Sequence, residues 1–110
     1  MEELSAKLAR ARFEAALDTS FELALSDSGK VLSLQLFEVT ARPAPRDYEQ
    51  YSALFRGPAE PVLPQATYLM KHPAFGELPL FIVPVARDAT SVTYEACVVR
   101  RTDGGERPQA

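Results

Sequence analysis

The chain has 110 residues, 46% hydrophobic and 25% charged, with twelve basic against fifteen acidic side chains and a net charge of −3. That length supports one core rather than two, and the composition belongs to neither the disordered nor the membrane class. The mixed signs offer no phosphate-binding face, so no nucleic-acid partner is expected; the one basic run, Arg100, Arg101 and Arg107, sits at the chain end and is diluted by Asp103 and Glu106.

Glu2 to Asp18 reads as one helix, because Ala, Leu, Glu, Lys and Arg dominate and neither Gly nor Pro interrupts. It has two apolar stripes: Phe13 with Leu17 suits a sheet, while Leu4 with Leu8 either caps the domain end or docks another subunit. Ser20 to Leu25 alternates like a half-buried strand, and SDSGK turns, with Gly29 able to take a positive φ. Val31 to Thr40 continues as a strand with Leu32, Leu34 and Leu36 on one face. Phe37 and Val39 then fall on the opposite face, a slip that predicts a bulge or a second buried contact near Leu36.

ARPAPRD is a loop, and Tyr48 to Arg56 resumes as a strand that Gly57-Pro58 terminates. AEPVLPQ reads as extended but irregular, running along a sheet edge. Ala66 to Lys71 is the next strand, HPAFGE a turn, and Leu78 to Ala86 a strand apolar on both faces, which predicts burial on both sides. After a turn over Arg87 to Thr90, Ser91 to Arg100 closes the sheet. The fold class is therefore α+β and mainly β: an N-terminal helix and about six short antiparallel strands in a half-open barrel or compact sandwich. Residues 1–100 form a single domain and 101–110 a flexible tail.

The strings LFRGP (54–58), LPQATY (63–68), HPAFGELPLFIVPV (72–85) and YEA (94–96) resemble a family of short bacterial proteins known only as a domain of unknown function. The resemblance runs from Phe13 to about Val98. Ala66 stands where that family has glycine and Phe75 where it often has leucine, so no positive φ is expected at Ala66. The resemblance implies no activity; genes near phage-tail-collar-like proteins make a tail-associated accessory role its one lead.

His72 is the only histidine, and a general-base role would need Tyr68, Glu77 or Glu95 beside it. The simpler expectation is that it opens the HPAFG turn and bonds a backbone carbonyl. Cys97, the lone cysteine, should face away from Tyr94 in the last strand; a dyad with His72 would require the two strands to pair. One His and one Cys do not make a zinc set, the glycines form no phosphate cradle, and no metal or cofactor is expected. Arg56 reads either as an anion anchor or as a clamp on the following loop, at Glu60; Gln65 admits the same pair of readings. The prolines Pro58, Pro61 and Pro64 with Tyr68 form either a recognition groove or a stiffened edge. The candidate binding surface is thus Arg56, Gly57, Pro58, Pro64, Gln65, Tyr68 and His72, and the candidate partner interface is Leu4 with Leu8.

A single cysteine cannot form an internal disulfide, MEELSAKLAR lacks the features of a signal peptide, and LPLFIVPVA is about half the length of a membrane span, so a soluble cytoplasmic protein is expected. With no catalytic set legible, the leading expectation is a non-enzymatic interaction or structural module that binds a protein partner or itself. The alternative is a small ligand-binding barrel or enzyme using His72, Arg56 and Tyr68, which requires those side chains to meet in one concavity.

Overall fold

The computed structural model describes residues 4–26 and 28–102. Two short helices, α1 (Leu4–Lys7) and α2 (Arg10–Ala15), precede six strands: β1 (Ser20–Ala24), β2 (Val31–Arg42), β3 (Tyr48–Pro58), β4 (Ala66–His72), β5 (Gly76–Arg87) and β6 (Ser91–Arg101). All pairings are antiparallel, and the strands close into a barrel in the order β1-β2-β3-β6-β5-β4. Of the predicted tail, residues 101–110, Arg101 instead ends β6, paired with Tyr48, and residues 103–110 lie outside the described residues, as do Glu2, where the predicted helix began, and Glu3.

The period-two pattern of the sequence sets the inside of this barrel. Phe21 and Leu23, Leu32, Leu34 and Leu36, Tyr51, Ala53 and Phe55, Met70, Leu78, Leu80 and Ile82, and Val92 to Val98 at alternate positions are all buried. The slip at Phe37 is a bulge: the β2–β3 register shifts between Leu36 and Glu38, which turns Phe37 outward and returns Val39 to the inner side. Gly57 does not terminate β3. It pairs with Val92, and Pro58 pairs with Ser91, because a Cβ at Gly57 would lie 2.5 Å from Leu34 Cδ2 and only glycine lets the two strands approach there. Gly29 has the positive φ its turn requires, and so does Gly76 where the β4–β5 turn enters β5.

The predicted single helix is broken at Leu8 and Ala9, where Ala9 adopts extended backbone with ψ 134°. Helix propensity favours continuity, but the barrel supplies better partners for the broken ends. The Tyr51 hydroxyl donates to the Leu8 carbonyl, and Glu49 Oε1 accepts the Arg10 N–H at 3.1 Å. The break lets Phe13 drop into the barrel mouth, where its ring lies 6.0 Å from Phe21, 5.6 Å from Tyr51 and 5.1 Å from Phe75. Lys7 Nζ to the Glu77 carbonyl (3.0 Å) and Arg12 Nη2 to the Ala74 carbonyl (2.7 Å) fasten this plug to the β4–β5 turn.

Closure is uneven around the barrel. β1 meets β4 at two residue pairs, Glu22 with Lys71 and Leu23 with Met70. β5 meets β6 only from Val83 to Arg87, so the two strands part toward the end that the helices fill. β2, β3 and β6 continue past the closed part as a three-stranded extension out to Arg42, Tyr48 and Arg101. Among the described residues no second layer covers the outside of the barrel. The burial of Leu78 to Ala86 on both faces, expected from its composition, therefore fails: Leu78, Leu80 and Ile82 are buried, whereas Phe81 and Val85 face solvent.

Candidate functional site

The residues singled out by the sequence do not share a site. Arg56 lies outside the barrel with its guanidinium 4.2 Å over the Phe37 ring, a stacking contact that replaces the expected clamp on Glu60. Gly57 is buried against Leu34, while Pro58, Pro64 and Gln65 are exposed. Tyr68 takes an inner position and its hydroxyl donates to the Pro64 carbonyl at 2.6 Å, tying down the proline-rich connection. The buried Leu63 N–H in the same connection donates to the Tyr94 hydroxyl at 2.9 Å. His72 is inward too, but four residues up the strand, about 13 Å away. Arg56, Tyr68 and His72 thus do not converge, and side chains fill the space between them.

His72 is a joint rather than a base. Its Nδ1 accepts the Ala74 N–H at 3.0 Å, so that nitrogen carries no proton. Nε2 therefore holds the hydrogen and donates to Thr19 Oγ1 at 2.8 Å, and the Thr19 hydroxyl passes its own to the Ala16 carbonyl at 2.6 Å. The expected backbone carbonyl is reached only through this hydroxyl. The imidazole packs 4.3 Å from the Phe21 ring centroid and 5.2 Å from that of Phe75, and burial lowers its pKa below the usual histidine value. A neutral ring, bonded at both nitrogens, locks the end of α2 to the β4–β5 turn.

A second joint was not legible in the sequence. Arg100, read as a solvated terminal residue, has its Nε 2.8 Å from Glu49 Oε1, the same oxygen that caps Arg10. Burial raises the Glu49 pKa, but the Arg10 N–H and the Arg100 guanidinium outweigh it and hold the carboxyl below its usual value. Burial also pushes the Tyr51 phenol up, keeping it a donor to Leu8. Leu8 itself packs on the core, leaving Leu4 as the exposed member of the expected helix interface. The cross-strand register between Glu49 and Arg100 was the only signal that could have found this cluster.

The outer surface has two characters. On β2, β3 and β6 it is largely polar and internally bonded, with Val99 and Tyr48 as exposed apolar exceptions: Ser52 Oγ donates to Glu95 Oε2 at 2.6 Å, and Arg42 approaches the same oxygen at 3.8 Å. Cys97 is exposed beside them; burial and the Glu95 carboxylate raise its pKa, so it stays a thiol, and it points away from the inward His72. On β1, β2, β4 and β5 the surface is apolar, with Val31 58%, Leu69 51%, Phe81 51% and Val85 50% exposed. Register sets Leu69 beside Pro79 and Val31 beside Ala24, while Phe81, beside Thr67, and Val85, at the β5–β6 bulge, lie further along β5. A recess of about 370 Å³ lies on this face, lined by Ala24, Val31 and Leu69 and rimmed by Glu22, Lys71 and Glu77.

Among the described residues no three His, Cys, Asp or Glu side chains are grouped so as to hold a metal ion, and no helix is long and apolar enough to cross a membrane. No curated protein and no solved structure matches the chain. The model of one family does match, over residues 8–98, an extent that takes in α2, the His72 joint and the apolar face. The chain thus belongs to the Domain of unknown function (DUF6916) family.

Proposed function

We propose that this chain is a non-catalytic interaction module, a subunit or adaptor that joins a larger assembly through the outer face of β1, β2, β4 and β5. The observation that carries this reading is the exposed row of Val31, Leu69, Phe81 and Val85 on a barrel whose interior is filled. Outward strand positions gain less from large apolar side chains than a docked face does, and a grouped set of them marks an interaction surface. The phage-tail setting suggested by the sequence resemblance suits such a role, and the lone exposed Cys97 suits a reducing, cytoplasmic compartment. The alternative of a ligand-binding barrel or enzyme using His72, Arg56 and Tyr68 has no shared concavity in which to act.

The test is affinity purification of the tagged chain from its native host after amine cross-linking, alongside a Leu69→Glu/Phe81→Glu variant. Of the three lysines, Lys7, Lys30 and Lys71, the last sits on the apolar face. The expected result is a partner cross-linked through Lys71 and lost from the variant, with the variant's melting temperature unchanged. A partner retained by the variant, or no partner and no self-association at all, overturns the reading.

A further inference from the structure

We infer that the occupant of this face is a second copy of the chain, placed by a two-fold axis that runs along the β1–β4 seam parallel to the strands. The inference rests on the docking role proposed above and adds the partner's identity. It comes from the order of residues across the sheet. At one level the outer positions read Ser33, Glu22, Lys71, Glu77 from β2 through β1 and β4 to β5; one step on, past the last β1–β4 pair of Leu23 with Met70, Ala24 and Leu69 flank the seam, with Val31 beside the first and Pro79 beside the second.

Two copies facing each other about an axis between β1 and β4 bring β1 of one opposite β4 of the other. Glu22 then meets the second copy's Lys71, and Lys71 its Glu22, so two opposite-charge contacts form and no like charges face each other. At the apolar level Ala24 meets Leu69 and Val31 meets Pro79, which centres the contact on the recess. An isologous interface demands this self-complementarity. Axes through neighbouring strands fail: centred on β4 they oppose Lys71 to itself and Glu22 to Glu77. Within one copy Lys71 has a carboxylate on either side in register yet makes no ion pair among the described residues, so its charge is available to the second copy.

The apolar part of this contact, Val31, Ala24, Leu69 and Pro79, is only four side chains on each copy, well short of the roughly 20–30 residues a side that make up a standard stable interface. A weak, concentration-dependent dimer follows. Sedimentation velocity on the full chain from about 10 to about 500 µM covers the range in which such interfaces assemble. Wild type should pass from monomer to dimer. Lys71→Glu and Glu22→Lys should each weaken association about tenfold or more, since each places like charges opposite. The Lys71→Glu/Glu22→Lys double variant should recover the dimer, and so should a mixture of the two single variants.

Thermal melts of the single variants establish that each remains folded. A wild type that stays monomeric throughout, or a dimer indifferent to both single substitutions, overturns the inference. Because host purification reports heterologous partners, a monomeric wild type that still loses a host partner in the Leu69→Glu/Phe81→Glu variant would sink the dimer and leave the docking role standing.

Discussion

Gly57→Ala is the most direct test of how this barrel is packed. Gly57 has no positive φ, so alanine is conformationally allowed, and in the unfolded chain it should restrict the backbone and stabilise by about 0.4–1 kcal/mol. Against that, the new Cβ would sit 2.5 Å from Leu34 Cδ2 and 3.4 Å from Tyr94 Cε2. Leu34 is fully buried, so it has no solvent side to swing into, and overpacking of this kind costs about 1–3 kcal/mol. The net expectation is a loss of about 1–2 kcal/mol, measured by urea titration with an unchanged slope. Leu34→Val removes the clashing carbon and alone costs about 0.5–1.5 kcal/mol. In the Gly57→Ala/Leu34→Val double variant the new methyl fills the vacated space, so the loss should be smaller than the sum of the two singles by at least about 0.5 kcal/mol. Additive losses, or a Gly57→Ala variant as stable as wild type, would refute a strand–strand approach held open by glycine.

The remaining expectations concern the plug and its joints. Tyr51→Phe removes the donor to the Leu8 carbonyl and should cost about 1–2 kcal/mol, with amide exchange rising first in α1 and at Ala9. Arg100→Met should cost at least as much as Tyr51→Phe by thermal denaturation, because it strips Glu49 of its guanidinium; equal stability would make the pair a surface ornament. His72 has a folded pKa below its unfolded value near 6.5, so its contribution is full above that pH and is lost as pH falls toward the folded value. Between pH 7 and 5 stability should therefore fall by at most about 1.4 kcal/mol per unit, and His72→Gln should flatten that slope, since the chain has no other histidine. Glu49 adds a second loss of the same sign, at pH values below its usual carboxyl range.

Legibility followed the range of the interactions. Alternation, or short apolar runs between turn-formers, marked the strands, because both signals are local, and even the break of pattern at Phe37 marked its bulge. The helix break was invisible because its causes, Tyr51 and Glu49, lie about forty residues away, and local propensity contains no trace of them. Gly57 and Pro58 looked like a terminator for the same reason: what makes glycine necessary is Leu34, more than twenty residues back on the neighbouring strand β2. Among site residues, Arg56, Tyr68 and His72 were chosen for their chemistry, but chemistry does not fix which side of a barrel wall a residue occupies or at what height. The apolar run at Leu78 to Ala86 held the strongest clue and was read as double burial. In a sheet with one covered face, the same letters mean an exposed stripe.

That stripe also bounds how strongly the module can bind. Fully burying a Val, Leu or Phe side chain is worth about 1.5–3 kcal/mol, so half-exposed Val31, Leu69, Phe81 and Val85 hold back about 1 kcal/mol each. About 4 kcal/mol only just meets the lower estimates of what association costs in lost motional freedom. Glu22 and Lys71 contribute direction more than strength, as exposed pairs do. Between freely diffusing molecules one such face holds only at high protein concentration, as the weak dimer inferred above does. Where copies are already held close by an assembly, the effective concentration reaches the millimolar range and the same face is enough to fix their orientation. A barrel bonded polar on one side and left apolar on the other is therefore better suited to setting geometry within a multi-copy structure than to capturing a partner from dilute solution.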